Sequence, residues 1–349
     1  MKPLSTTSPE PPAVVWCVLD AKPGHKNLAR GMIKALATVT PVECHEINPP
    51  RWTMRCGRLL QVFWPRLSSL VPLPRGIPSP DLVLGSGGNV LWFTAALAHR
   101  LHRPAVFVGS RRRLPSNAAL FTHYDPSISQ EGGLCLPILP GPFTRDDQET
   151  AWLKFAEDKA LPQDSRHLVA LVGGDGNGYH WREADGHSLA RLMNELSRQT
   201  GRRWLVTTSR RTPPEFESGL ISLLRTENIT DACWFHRGDH RRVVAAYLGG
   251  AFRVLVGEDS MSMIHEALTS RQPVTTFQPA QMLPGKVHES YLIHAARQHW
   301  LDRQSLAEKD WSKDCGTFTT TSSGYPDDAL LEAGTKLHQK LNQLGWRTA

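Results

Sequence analysis

Short apolar runs alternate with helical stretches along this chain, and the alternation restricts its fold more than any other feature. Apolar runs at 14–19 and 82–85 are each followed by a stretch with helical spacing, and another apolar run stands at 105–108. This order of strand, helix and strand is typical of βαβ units, which build a parallel sheet with helices on both faces. The pattern predicts an α/β fold.

A second series of the same kind begins at 168–172 and continues through apolar runs at 204–207, 254–256 and 274–277. A chain of 349 residues is long for one hydrophobic core. We therefore predict two Rossmann-like, doubly wound domains that face a cleft.

A polar segment that contains Pro162 is predicted to connect the two domains, because charged residues and proline are typical of linkers. The predicted divisions are a disordered leader over 1–12, an N-terminal domain over 13–162, a C-terminal domain over 163–324 and a final helix over 325–349. A bridge rich in Thr and Ser precedes this helix and could return it to the first domain.

The composition favours an anionic partner. The formal net charge is +7 and the isoelectric point is near 9.2, yet no DNA- or RNA-binding signature is present, so nucleic acid is not expected.

No apolar run approaches the length of about 18 residues that a membrane-spanning helix needs. The six cysteines form no C-x-x-C pair, which argues against disulfides and structural zinc and favours a reducing cytoplasm.

The segment 254–267 is predicted to be a buried strand, a turn and the first turns of a helix. Residues typical of a helix start are Asp259, Ser260 and Ser262, with Met263 in the same turn. The N–H groups of such a helix end attract anions. Glu266 follows on the same helical face and could reach sugar hydroxyls while the helix start holds phosphate. Alternatively, Asp259 or Ser260 only caps the helix and Glu266 is a solvated surface residue.

Two more polar loops follow predicted strands of the second half. Gly174, Asp175 and Gly176 could form a nest of N–H groups for an anion, although their spacing fails the dinucleotide-binding fingerprint and a plain turn is the alternative. Ser209, Arg210 and Arg211 combine a hydroxyl with two guanidinium groups, which match phosphate oxygens. They predict a diphosphate clamp, with an exposed basic turn as the alternative.

His25 is the candidate general base in the first half of the chain. It follows Asp20 within a six-residue loop after a predicted strand. A histidine can exchange a proton near neutral pH, as a base acting on an acceptor hydroxyl must. The alternatives are a structural histidine, and an Asp20 that caps a helix instead of orienting His25.

Metal, hydrolase and NTPase chemistry are not expected. The pairs His99 with His102 and His236 with His240 have no convincing third ligand nearby, so we predict no metal site. A G-x-S-x-G elbow and a P-loop lysine motif are both absent from the sequence.

The stretch 51–77 mixes aromatic and aliphatic residues with arginines, a composition suited to the surface of an anionic bilayer. A peripheral membrane contact is one interpretation. The other is a core helix, because several apolar residues follow core-helix spacing: Leu59, Leu60, Phe63 and Leu67.

Four segments, 20–25, 81–88, 207–213 and 258–267, resemble the ELM1-like proteins, a family named after a plant mitochondrial fission factor and with many bacterial members. The resemblance extends over about 14–279. It implies the fold of the GT-B glycosyltransferase superfamily, in which two Rossmann-like domains face a cleft and the second holds a nucleotide-sugar donor.

Carried over to this sequence, the resemblance implies that Ser209, Arg210 and Arg211 meet the diphosphate, and that Asp259, Ser260 and Ser262 stand at the anion-binding helix start. Glu266 would bind the ribose, and His25 would lie beside the acceptor. Lys26 stands where the family commonly has glutamine, and 87–89 replaces a more polar or basic loop.

The function so expected is a metal-independent glycosyltransferase of the bacterial cell envelope, active in glycan or lipopolysaccharide synthesis. The nucleotide-sugar would be its substrate, with no cofactor and with a glycan or lipid-linked acceptor. It would be cytoplasmic and peripheral on the inner membrane. The alternatives are a non-catalytic adaptor for a membrane or protein partner, and a sugar-nucleotide epimerase.

Overall fold

The computed structural model describes residues 11–60, 65–109, 114–115, 117–307 and 329–346. The chain divides into two compact units. Unit 1 comprises Met1–Pro142 and Asp327–Ala349, and unit 2 comprises Phe143–Pro326. Most of the predicted leader, residues 1–10, and the predicted bridge before the final helix lie outside the described residues.

Unit 1 contains a parallel sheet in the strand order β2-β1-β3-β4-β5-β6. Its strands are β1 (Ala13–Val18), β2 (Val42–Ile47), β3 (Leu82–Ser86), β4 (Ala105–Val108), β5 (Leu120–His123) and β6 (Leu134–Cys135). Its helices are α1 (Pro23–Ala37), α2 (Arg51–Leu60), α3 (Leu91–Arg100), α4 (Ser127–Gln130) and, at the end of the chain, α11 (Ala329–Gln343).

Helix α11 belongs to unit 1 because it completes one of that unit's two apolar layers. Its Leu337 and Leu341 are fully buried and share a core cluster with Met32 and Leu36 of α1. A methyl group on Gly334 would overlap the backbone of α1, so glycine allows the two helices to approach closely.

Unit 2 contains a second parallel sheet, in the order β10-β9-β7-β11-β12-β14, and the antiparallel pair β8-β13. Its strands are β7 (His167–Leu171), β8 (Tyr179–His180), β9 (Trp204–Thr207), β10 (Ile229–Cys233), β11 (Ala251–Gly257), β12 (Val274–Gln278), β13 (Gln281–Met282) and β14 (Asp302–Ser305). Its helices are α5 (Arg145–Asp158), α6 (Glu183–Thr200), α7 (Pro214–Leu223), α8 (Val244–Gly249), α9 (Met261–Thr269) and α10 (Lys286–Arg297).

The boundary between the units lies at Pro142, before α5, and not near Pro162 as the linker composition predicted. Helix α5 packs on α8 of unit 2, where the rings of Phe155 and Tyr247 are 5.6 Å apart. Trp152 of α5 is buried against the same unit, 5.4 Å from His167. A polar loop therefore follows the helix without separating two units.

Each sheet has one point where the strand order reverses. In unit 1, β1 lies between β2 and β3, and in unit 2, β7 lies between β9 and β11. Both sheets are doubly wound, which confirms the predicted α/β class. In such sheets, ligands bind beyond the carboxyl ends of the strands at the reversal point. These ends lie at the loops after β1 and β3, and after β7 and β11.

Within the described residues, no helix combines the length and apolar character that crossing a membrane requires.

Candidate functional site

His25 and Asp20 form a dyad at the reversal point of unit 1. The Nδ1 of His25 lies 2.5 Å from Oδ2 of Asp20, whose side chain is fully buried, while the His25 side chain is 33% exposed. The other oxygen of Asp20 accepts the backbone N–H of Ala21 at 2.6 Å. Because Nδ1–H donates to the carboxylate, Nε2 carries the free lone pair of the neutral ring. Helix α1 begins at Pro23 after Lys22, so Asp20 orients His25 and does not cap the helix.

The loop after β3 closes around this dyad. Gly87 has a φ of +99°, and a methyl group there would overlap both Asp20 and His25. Asn89 of the same loop donates to Asp20 at 3.4 Å. Gly87 therefore makes room for the dyad, a role that only a contact between two neighbouring strands could reveal.

Asp259, Arg211 and Gly174 meet at the reversal point of unit 2. The buried Oδ2 of Asp259 accepts from Nη2 of Arg211 at 2.8 Å and from the backbone N–H of Gly174 at 3.0 Å. Burial raises the pKa of the Asp259 carboxyl to about 6, against the opposing effects of Arg211 and Gly174. The Asp259 side chain has no exposed surface, so it positions Arg211 instead of presenting a surface to a ligand.

The predicted anion nest is wrong. The N–H of Gly174 bonds to Asp259, the N–H of Asp175 donates to the carbonyl of Arg211 at 3.0 Å, and the N–H of Gly176 donates to Tyr179 at 3.2 Å. A methyl group on Gly174 would overlap the backbone of Arg211. The glycines allow the loops to pack closely. The backbone N–H groups of this segment already donate hydrogen bonds within the protein, so they are not available to an anion.

Hydrogen bonds within unit 2 hold the loop 209–212, and both of its arginines are exposed. The hydroxyl of Ser209 donates to the carbonyl of Gly173 at 3.1 Å and accepts the N–H of Arg211 at 3.2 Å. Thr212 is buried and also donates to Gly173. Arg210 is exposed, and no acidic partner for it is found among the described residues. Of the three predicted clamp residues, Ser209 shapes the loop, whereas the two arginines remain able to contact an anion.

Helix α9 begins beside Arg211. Ser260 is its N-cap residue but makes no side-chain capping bond, and its hydroxyl lies 3.4 Å from that of Ser262. The first N–H groups of a helix have no intrahelical acceptor, and Met261, Ser262 and Met263 are only half-buried. The arrangement leaves this helix start open to an anion.

Glu266 is 6% exposed, so the interpretation of this residue as a solvated surface acid is wrong. Its carbonyl accepts from Nε2 of Gln148 at 3.3 Å, which ties α9 to α5.

Two buried carboxylates near the site were not predicted from the sequence. Glu258 has no exposed surface and accepts from the guanidinium of Arg303 at 2.7 and 2.8 Å. Glu217 accepts from the hydroxyl of Thr208 at 2.5 Å and from the N–H of His236 at 3.1 Å. Glu217 holds the loops after β9 and β10, and Glu258, in the loop after β11, is paired with strand β14. These partners lie too far along the chain for a local pattern to reveal.

In the parts of the chain that the structure describes, no group of three or more His, Cys, Asp or Glu side chains is arranged to hold a metal ion. His236 donates to the carbonyl of Thr212 at 2.6 Å, and His99 is bonded to Ser68 at 3.1 Å.

Helix α2 exposes an apolar face in the stretch 51–77. Trp52 is 43% exposed and Leu59 is 68% exposed, whereas Leu60 and Leu67 pack against the core of unit 1. The core-helix interpretation is therefore right for Leu60 and Leu67 and wrong for Leu59; Phe63 lies outside the described residues.

The chain is similar over nearly its whole length to several solved structures. S. aureus MnaA in its co-structure with UDP gives a TM-score of 0.54 at 13% identity, covering 97% of this chain and 98% of that one. A UDP-GlcNAc 2-epimerase from Methanocaldococcus jannaschii gives 0.53 at 13% identity, covering 95% and 99%. Arabidopsis thaliana UGT89C1 complexed with UDP gives 0.52 at 11% identity, covering 96% and 98%.

These likenesses, with the two doubly wound sheets, define a GT-B-like fold. The chain belongs to the mitochondrial fission ELM1 family, whose model matches residues 138–313, half of the chain. The match covers most of unit 2 and leaves out the motifs at 20–25 and 81–88, so it is narrower than the resemblance over 14–279. No curated protein matches the chain by sequence.

Proposed function

We propose that this chain is a metal-independent glycosyltransferase that binds a nucleotide-sugar through unit 2 and transfers the sugar to a hydroxyl acceptor. The observation that carries the proposal is the position of Arg211, held by Asp259 at the start of α9. Guanidinium groups and a helix N-terminus together suit a diphosphate. Two structures of similar fold contain UDP, which supports a uridine nucleotide as the first donor to test.

In the proposed reaction, Nε2 of His25 accepts the proton of the acceptor hydroxyl, whose oxygen attacks the anomeric carbon of the sugar. The bond from that carbon to the diphosphate oxygen breaks, and the electron pair leaves with the nucleoside diphosphate. Arg210, Arg211 and the N–H groups of α9 stabilise the departing charge. Asp20 stabilises the imidazolium that forms, and Glu266 binds the ribose hydroxyls.

Nucleotide binding is tested by the thermal shift of the full chain with UDP. We expect stabilisation by UDP, a large loss of the shift in Arg210→Ala and Glu266→Ala, and an unchanged shift in Arg225→Ala. Arg225 is an exposed arginine at the amino-terminal edge of the same sheet, before β10. A chain whose melting temperature does not respond to UDP or other nucleoside diphosphates would exclude the proposal.

Catalysis is tested separately from binding. Release of UDP from a panel of UDP-sugars is measured with bacterial envelope lipids and glycans as acceptors. We expect His25→Ala to lose transfer while it keeps the UDP-induced thermal shift. Binding without transfer would favour the adaptor. A changed sugar after incubation without an acceptor would favour the epimerase, an activity named for one structure of similar fold.

We also propose that the stretch 51–77 contacts an anionic membrane, at the cytoplasmic face of the bacterial inner membrane. This stretch contains five arginines, Arg51, Arg55, Arg58, Arg66 and Arg75, and neither lysine nor acidic residues. On α2, the exposed apolar side chains of Trp52 and Leu59 accompany the exposed Arg51 and Arg55. A lipid surface with negative headgroups fits both features, because the apolar residues enter the interface while the arginines contact phosphate.

Flotation with vesicles tests the membrane contact. We expect binding to phosphatidylglycerol vesicles and none to phosphatidylcholine vesicles, and we expect Trp52→Ser with Leu59→Ser to abolish it. Leu331→Ser, which changes an apolar side chain that is 45% exposed on α11 of the same unit, is the matched control. Equal binding to both lipids would contradict the proposal.

A further inference from the structure

The carboxyl of Asp259 is enclosed between two strand ends. A methyl group on Gly173, after β7, or on Gly257, at the end of β11, would come too close to Oδ1 of Asp259. This Oδ1 is buried and has no hydrogen-bond partner among the described residues. A buried charged oxygen without a donor is costly, and protonation of the carboxyl lowers that cost because it removes the charge.

Arg211 is the cation in contact with this carboxyl. Its Nη2 donates to Asp259, its Nη1 lies 3.4 Å from the carbonyl oxygen of Asp175, and its side chain is 40% exposed. The neighbouring Glu258 is paired with Arg303 instead. Other titratable groups on the elements around Asp259 are Asp175 on the loop after β7, and Tyr179 and His180 on β8. Helix α9 adds His265 and Glu266, and α10 adds His288 and Glu289.

A diphosphate on Arg211 would place a second anion beside the guanidinium that Asp259 already uses. Two negative charges that share one cation repel each other, and the group that can take a proton then does so more readily. Asp259 is the group of the pair that water does not stabilise, since its side chain is fully buried.

We propose that binding of a nucleoside diphosphate to unit 2 is coupled to uptake of one proton by Asp259. The proton comes from solvent and forms an O–H bond at Oδ1, while Oδ2 keeps the N–H of Gly174. No bond of the ligand changes. Arg211 then directs its charge to the diphosphate, and Asp259 acts as a positioning residue that links nucleotide affinity to pH. The inference rests on the proposed function.

The pKa of the Asp259 carboxyl without a ligand also favours this coupling. Burial already raises the pKa of Asp259 to about 6 in the absence of any ligand. A diphosphate nearby therefore needs to raise this pKa only moderately to protonate the group near neutral pH.

The experiment is calorimetric titration of the full chain with UDP, in PIPES and in Tris, at several pH values between about 7 and 8.5. The terminal phosphate of UDP, with a pKa of about 6, is ionised in this range. We expect heats that depend on the buffer, and an affinity that falls by up to about tenfold per pH unit, the limit for one proton.

Asp259→Asn should bind UDP without the proton uptake. The matched control is Glu227→Gln, an exposed acid at the opposite edge of the sheet, which should behave as the wild type does.

The outcomes separate the two proposals. If UDP binds with the same heat in both buffers and the same affinity throughout this range, the coupling is wrong and nucleotide binding stands. This result needs only the wild-type chain, so it does not depend on the folding of a variant. Proton uptake that persists in Asp259→Asn also overturns the assignment. If neither UDP nor any other nucleoside diphosphate binds, the proposed function fails and the coupling fails with it.

Discussion

Replacement of Asp259 by asparagine should change how the stability of unit 2 depends on pH, even without ligand. The carboxyl is fully buried, and its pKa rises from 3.8 to about 6 in the folded chain. Between these values the native state binds more protons than the unfolded state, so the free energy of unfolding falls as the pH rises. This rise in pKa corresponds to a contribution of about 3 kcal/mol to the free energy of unfolding at low pH. The contribution is lost as the pH rises above about 6.

Asparagine cannot titrate, so the variant should lack this loss. Relative to the wild type, Asp259→Asn should gain about 3 kcal/mol of stability between about pH 4 and pH 7. The variant also leaves Arg211 without its partner, so the informative quantity is the pH dependence and not the stability at one pH.

The assay follows urea unfolding at a series of pH values and uses hydrogen exchange of amides in β7 and β11 to isolate unit 2. Titration of other groups contributes equally to both proteins and cancels in the difference. Parallel stability curves for the wild type and Asp259→Asn would refute the reasoning, because they would mean that the native carboxyl titrates as it does in the unfolded chain.

Three further variants test other parts of the structure. Gly87→Ala should separate His25 from Asp20 and reduce sugar transfer as strongly as His25→Ala, with UDP binding retained; normal transfer would show that the dyad is not needed. Leu337→Ala should cost unit 1 about 2–5 kcal/mol in denaturant unfolding, and a cost below about 1 kcal/mol would contradict the packing of α11. Arg303→Ala should destabilise unit 2 by about 3–5 kcal/mol because the buried Glu258 loses its cation, whereas an effect like that of a surface substitution would argue against this network.

Local patterns were sufficient for much of the fold. The strands and helices of both sheets follow from apolar runs and helical spacing, which depend on neighbours only a few residues away. The loops after β1, β9 and β11 were found as candidate sites because polar residues there directly follow buried strands. The contact between His25 and Asp20 was also within reach, since five residues separate them.

Other features depended on contacts between distant parts of the chain. The linker composition misplaced the unit boundary, because α5 finds its packing partner in α8, far along the chain. The glycines at 173–178 had the composition of an anion nest, but 85 residues separate Gly174 from the carboxylate that takes its N–H.

The sequence by itself determined that this protein builds two α/β sheets and that polar loops end their strands, because hydrophobic periodicity is a property of each segment alone. Only the tertiary structure decided what Asp259 does. Its residue type and its place before a helix suggested a cap or a ligand contact, and burial between two glycines, with Arg211 as its partner, made it an interior charge. The cost of burying a charge depends on everything around it, and no local pattern contains that information.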